Sequence, residues 1–316
     1  MSSDLNTILS LANAIVYIYK VVGVFIIIVS TIGNICNCLC FSLIKPLRKH
    51  PHILFIIGSS IGSFFFINST LIPAVLEIYT KINLANRYYV WCKMSTYLVY
   101  VSGCFCYMCA GLTAMGQYLI TSPRIRFQRL LTRNRVRIIL VLTCLMWIFI
   151  FLPLPISTQN ISSTCVQTNN FVRLYSTYWL ILGYYFMPIL VILVFFCFTG
   201  YNLKRYLINN RSLENSVIRM MLIQMSLLML SGIPAAGFVI YFIITQYQSR
   251  TLLRSYWESF IYILLTLFTF VTNGTSFWIY LLASKSFRKN LKEYFLTWKV
   301  FQIQQEYRQR RTVHTT

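Results

Sequence analysis

"VVGVFIIIVS", residues Val21–Ser30, is apolar on every side of a helix and shows no alternation of polar and apolar positions. "FFFINSTLIPAVL", Phe64–Leu76, reads the same way. A helix apolar all round is buried in protein or sits in lipid. A membrane barrel strand would instead alternate polarity over about ten residues. Outward from these two stretches, Lys, Arg, Asp and Glu are absent from seven long windows: Val21–Ile44, Pro51–Leu76, Met94–Pro123, Ile138–Val172, Leu174–Leu203, Met220–Ser249 and Ser259–Ser284. A helix needs about 20 mostly apolar residues to cross about 30 Å of hydrocarbon, and every window can supply them. The fold class expected is an all-α membrane protein, a seven-transmembrane helix bundle.

Composition agrees. The chain is 57% hydrophobic and 11% charged, with a mean hydropathy of +0.65, whereas soluble domains are about 25% charged. Prolines at Pro73, Pro153, Pro155, Pro188 and Pro234 read as bends, because neighbouring helices can satisfy the backbone groups they free. The first twenty residues lack a basic start and a small-residue cleavage site, so the first membrane helix is expected to act as its own targeting signal.

Seven crossings put the two ends of the chain on opposite faces. With the N-terminus outside, 21 of the 28 basic residues fall on inner segments and seven on outer ones. Basic loops stay on the cytoplasmic side, so the expected arrangement is an extracellular segment 1–20, a membrane domain 21–284 and a cytoplasmic tail 285–316. The net charge of +22 then reads as an inner rim beside anionic lipid headgroups. It calls for membrane lipids as partners and for no nucleic acid.

Eight of the ten cysteines lie inside the expected membrane-crossing helices, where a thiol acts as a small apolar filler. Cys92 and Cys165 both fall on the outer face, in an oxidising compartment, and are expected to form a disulfide. Asn160, in "NIS" of the same loop, is the expected glycosylation acceptor; Asn273, in "NGT", lies within the seventh helix and is discounted.

Position by position, Gly33-Asn34, the Cys92/Cys165 pair, Trp147, Pro188, Pro234, and "GQY" at Gly116–Tyr118, whose Gln117 stands twenty-five residues after Cys92, form one pattern. With Pro123 just beyond, the chain resembles a divergent rhodopsin-like (class A) G protein-coupled receptor over almost its whole length. The departures fall on that family's switch positions. Gly116-Gln117 stands for the Asp-Arg pair, Gly62 for the helix-two aspartate within a residue or so, Gly232 for the helix-six tryptophan, and "SFWIY" (Ser276–Tyr280) for Asn-Pro-x-x-Tyr. "SKSFRKNLKEYF" after it is similar to the family's short amphipathic helix on the inner surface.

What the resemblance implies is a multi-pass receptor of the plasma membrane that passes an extracellular signal to a heterotrimeric G protein, without cofactor. The inner coupling surface would combine Gln117, Tyr118, Pro123, Tyr201, Glu214, Arg219 and Tyr280. Gln117 would donate a hydrogen bond to Glu214, weaker than the charge pair it replaces, leaving a shallow inactive state. Asn34, Ser59, Ser60, Asn273 and Ser276 would converge as an interhelical polar cluster, with no acid to hold sodium. Val99 stands where amine receptors carry an aspartate, which disfavours an amine ligand. A peptide or small non-amine ligand would meet Tyr97, Tyr100, Tyr184, Tyr185, Trp257 and Tyr262, with Glu77 and Glu258 on the rim for a cationic end.

Other classes fit less well. Transporters place ionisable residues within the bundle, and the windows hold none. A seven-helix chemosensory receptor or ligand-gated channel subunit, not coupled to G proteins, has its N-terminus inside. His50, His52 and His314 are expected outside the membrane-crossing helices, and no metal-ligand spacing or nucleophile motif points to an enzyme or a metal site.

Overall fold

The computed structural model describes residues 2–48, 50–161, 164–206, 212–245, 248–285, 287–294 and 296; the side chains of 2, 3, 45, 46, 203–206 and 212–219 also lie outside that description. Seven helices among the described residues are long and apolar enough to cross a membrane: Asp4–Leu43, Ile53–Thr80, Tyr89–Thr121, Arg133–Ser157, Asn170–Asn202, Met220–Ile244 and Leu252–Gly274. We refer to them as the first to seventh spans. The chain is a multi-pass helical membrane protein.

The third span is the hub. It packs against the second, fourth, fifth and sixth spans, and 56% of its most apolar stretch is buried, against 17% for the first and fourth. Those outer helices turn Phe25, Ile28, Leu142 and Phe149 outward, as lipid-facing residues should. Lipid removes the hydrophobic drive between helices, so contact depends on small residues that let backbones approach. A Cβ on Gly274 would stand 2.2 Å from that of Ser30, and one on Gly183 would stand 2.1 Å from the Trp147 ring. Those glycines set the distances between the first and seventh spans and between the fourth and fifth.

The first span differs from the sequence expectation. Residues Ser2–Ile18 are helical and run through a π turn at Tyr19–Gly23 into Val24–Leu43. The 40-residue span is about 60 Å long, twice the hydrocarbon thickness of about 30 Å. Residues Ser2–Ile18, which the sequence reading placed before the membrane domain, thus continue the first helix. Their few polar residues conceal a helical pattern whose Leu11 is buried, and the segment packs against the seventh span.

Pro153 starts a short helix, Pro153–Ser157, after a turn at Leu152, and Pro73 and Pro234 lie inside continuous helices. Between the fourth and fifth spans, β1 (Thr158–Ile161) and β2 (Thr164–Gln167) form an antiparallel hairpin that sets Asn160 opposite Cys165. Cys165 is disulfide-bonded to Cys92 at the start of the third span. This marks the disulfide end of the bundle. Asn86 grips the hairpin as well, its side chain accepting from the Cys165 N–H at 2.9 Å and its carbonyl from the Asn160 amide at 2.9 Å. Ser162 of the "NIS" site lies outside the described residues.

Gly183→Ala and Gly274→Ala should each cost about 1–3 kcal/mol by overpacking, read as a lower thermal midpoint in detergent. Gly200→Ala, where a Cβ would meet nothing within 4 Å, should leave the midpoint level or raise it, since alanine favours helix.

Candidate functional site

At the disulfide end the expected aromatic residues separate into two groups. Tyr184 is buried, with its ring centroid 4.4 Å from Tyr107 and 4.6 Å from Tyr185. The Tyr262 phenol lies within electrostatic range of Tyr19, Tyr100 and Tyr185. Tyr100, Tyr185 and Tyr262 thus come together, joined by Tyr19 of the first span, which the sequence reading had not included. Val99 packs against the same core. Tyr97 instead donates to the Ile148 carbonyl of the fourth span at 3.3 Å, and Trp257 is exposed beside Phe260. Tyr97 still packs against the same core as Tyr100 and Tyr185, whereas Trp257 lies outside it.

From Tyr107 a polar path runs inward. The Asn273 amide donates to the Tyr107 hydroxyl at 2.7 Å, and its carbonyl oxygen accepts from Cys106 Sγ at 3.6 Å. Asn273 also lines a central cavity of about 20 Å³ with Asn34, Ser59, Ser60, Ser276, Gln224 and Tyr280 among its walls, on the scale of a single water molecule. All five residues expected in the polar cluster line this one space, although the bonds differ from simple pairing. Asn34 donates to Ser63 at 3.4 Å. Asn37 bridges Ser60 at 3.3 Å and Ser276 at 2.6 Å, and Tyr280 donates to the Gln224 side chain. Ser59 donates to the Cys106 carbonyl at 3.3 Å. Asn37 was missed, although "NICN" places it one turn from Asn34; Tyr107 and Gln224 carry no such local signal.

Two glycines sit where the bundle leaves little room for a side chain. A Cβ on Gly62 would lie 3.0–3.1 Å from backbone and side-chain atoms of Cys106. The second and third spans approach too closely there for a carboxylate. At Gly116 a Cβ would fall 2.8 Å from that of His52.

At the opposite end, Gln117 and Tyr280 are each 1% exposed, so both are interior rather than part of a surface. Tyr118 packs its ring against Phe195 and Phe198, with both centroids at 5.6 Å. Pro123 and Tyr201 are exposed, and Tyr201 makes a further contact. Neither amide atom of Gln117 has a partner among the described residues. The side chains of Glu214 and Arg219 lie outside them.

Glu258 is not a free rim charge. It is 7% exposed and paired with Arg254 at 2.8 Å and Arg250 at 3.0 Å, and it accepts from Tyr241 at 2.8 Å. Arg250 also reaches back to Thr245 Oγ1 at 3.3 Å, at the end of the sixth span, where a cation suits the helix dipole. The group clamps the sixth span to the seventh. Glu77 instead accepts from Asn83 at 3.1 Å.

Among the described residues, no group of three or more His, Cys, Asp or Glu side chains is placed to hold a metal ion. Compared with protein-family models, the chain matches none, and no curated protein matches it in sequence.

Two outcomes follow from this geometry. Asn37→Ala should lower stability by about 1–2 kcal/mol, since it removes two interhelical bonds, and a thermal midpoint measures it. His52, beside Gly116 and 4% exposed, has its pKa pushed down to about 3 by burial and then by the neighbouring His50 charge. It is neutral in the fold, whereas the unfolded chain takes up its proton near pH 6.5. Stability should therefore be intact above pH 6.5 and fall by about 1.4 kcal/mol per pH unit below it, until about pH 3. The midpoint of His52→Gln should be flatter between pH 6.5 and 5 than that of the wild type.

Proposed function

We propose that the chain is a divergent rhodopsin-like receptor: a ligand at the disulfide end shifts the population of bundle conformations that a heterotrimeric G protein reads at the other end. The observation that carries this reading is the polar path from the tyrosine cluster, through Tyr107 and Asn273, to the cavity walled by Gln224 and Tyr280. It joins a site near one membrane face to the core of the other half. The disulfide and its hairpin cap the ligand end, as the resemblance implies.

The distribution of basic residues supports an extracellular N-terminus and a cytoplasmic tail at the plasma membrane. Residues 287–294 are helical, with Phe287 buried against Phe41 and Tyr280; we assign them as the amphipathic helix along the inner surface. Asn160 is the proposed glycan acceptor. Tyr118, Pro123, Tyr201 and Arg219 would border the coupling surface, with Gln117 and Tyr280 behind it as switch residues. The clustered phenols favour a small non-amine ligand or a peptide end with apolar surface and hydrogen-bonding groups.

Gln117 facing Glu214 would make a weak inactive-state contact. Gln117→Arg should then lower basal signalling in cells carrying a promiscuous G protein, and unchanged output would remove Glu214 as its partner. An epitope placed at residue 2 should stain on unpermeabilised cells. Staining only after permeabilisation would favour the channel-type seven-helix class and defeat the receptor reading.

A further inference from the structure

An apolar groove opens on the membrane side between the fifth and sixth spans, on the disulfide side of the sixth span's midpoint. The cause is local. The fifth span carries a π turn at Ile181–Phe186 followed by Pro188, which distorts the helix as π bulges and prolines do. The sixth contributes Gly237, where a Cβ would meet nothing within 4 Å. Between them runs an open groove of about 370 Å³, lined by Tyr185, Ile189 and Leu193 on one side and Ile233, Gly237 and Ile240 on the other. Its wall presents no polar atom; Tyr185 lines it with apolar atoms only.

Position, chemistry and size select the occupant. Both helices are membrane spans, and Leu193, Ile233 and Ile240 are exposed, so the groove opens onto hydrocarbon. A polar ligand would lose its hydration there with no hydrogen-bond partner in return. The groove follows residues 233–240 of one helix and 181–193 of the other, about 10 to 18 Å at 1.5 Å per residue, which matches the chain region of one leaflet, about 15 Å. A hydrocarbon chain lying along the two helices can cover a groove of that length whose lining is wholly apolar.

We propose that this groove binds one acyl chain of a phospholipid from the leaflet at the disulfide end. The chain restores dispersion contacts that the parted helices cannot make with each other. It also touches Tyr185, whose ring packs on Tyr184 of the buried cluster, so the bilayer has a lateral contact with the tyrosines of the core. The inference needs membrane insertion but not the receptor reading.

Photolabelling tests it without ligand or G protein. The full-length protein would be reconstituted in phosphatidylcholine vesicles containing a phosphatidylcholine with a diazirine on its acyl chain, irradiated and mapped by peptide mass spectrometry. Label per residue should be several-fold higher at 181–193 and 233–240 than at the lipid-facing residues of the first and fourth spans. Gly237→Leu, which fills the groove, should abolish that excess, whereas Leu39→Phe, on the exposed face of the first span, should leave it. Ala236→Leu, on the groove wall, serves the same purpose if Gly237→Leu is not recovered as monodisperse protein. Label spread in proportion to exposed apolar surface would overturn the proposal. So would an excess that survives groove filling, or protein–protein crosslinks through this face in place of lipid adducts. Loss of signalling in the receptor assays would leave the labelling pattern unchanged, so the two readings fail separately.

Discussion

A bilayer core offers peptide groups no hydrogen-bond partners, and each group left unsatisfied there costs several kcal/mol. That constraint makes every crossing of this chain a helix, and it removes the solvent drive that would press helices together in water. What holds them is close approach and polar bonding. Gly62 lets the third span lie against the second, Gly183 admits the Trp147 ring, and Gly274 meets Ser30 of the first span. Asn37 bridges Ser60 and Ser276 across three spans, while Asn273 ties the seventh span to Tyr107 and Cys106 of the third. The third span packs against the second, fourth, fifth and sixth and is hydrogen-bonded to the seventh.

Gly62 and Gly116 stand where an acid would find little room. An acid at Gly62 would need space that the Cys106 backbone occupies, and one at Gly116 would collide with His52. A neutral network of amides, hydroxyls and a thiol takes the place of a charged one. Neutral interhelical bonds are worth about 0.6–2 kcal/mol each, so rearranging the network is less costly than separating buried ions. A bundle joined this way suits shifts between conformations of similar energy. The charged clamp of Glu258, Arg250 and Arg254 sits instead at the disulfide end, between the sixth and seventh spans. Its ions are kept out of the central path.

Packing is uneven around the bundle. The third span is enclosed, whereas the fifth and sixth are parted by a π turn, a proline and Gly237. The tightly packed side carries the polar path through Tyr107 and Asn273; the loose side exposes Tyr185 to the membrane. Tyr184, between Tyr107 and Tyr185, belongs to both. The two regions are therefore mechanically adjacent.

Much of this was legible in the residues alone. Seven windows without charge could cross a membrane only as helices, and two cysteines outside the crossing helices were left to pair. The convergence of Asn34, Ser59, Ser60, Asn273 and Ser276 was also readable, because polar side chains in lipid-soluble helices must find one another. The helical course of Ser2–Ile18 was hidden, since mixed polarity with one buried leucine carries little periodic signal. Glu258 looked like a solvated charge because its partners, Tyr241 on the preceding span and Arg250 in the loop, become neighbours only when the helices assemble. Tyr107, Gln224 and the groove beside Gly237 likewise depend on the rotation and tilt of each helix. Hydrophobicity determines that a segment enters the bilayer; the close fit of small residues against particular neighbours determines which side it turns inward, and only the assembled bundle holds that information.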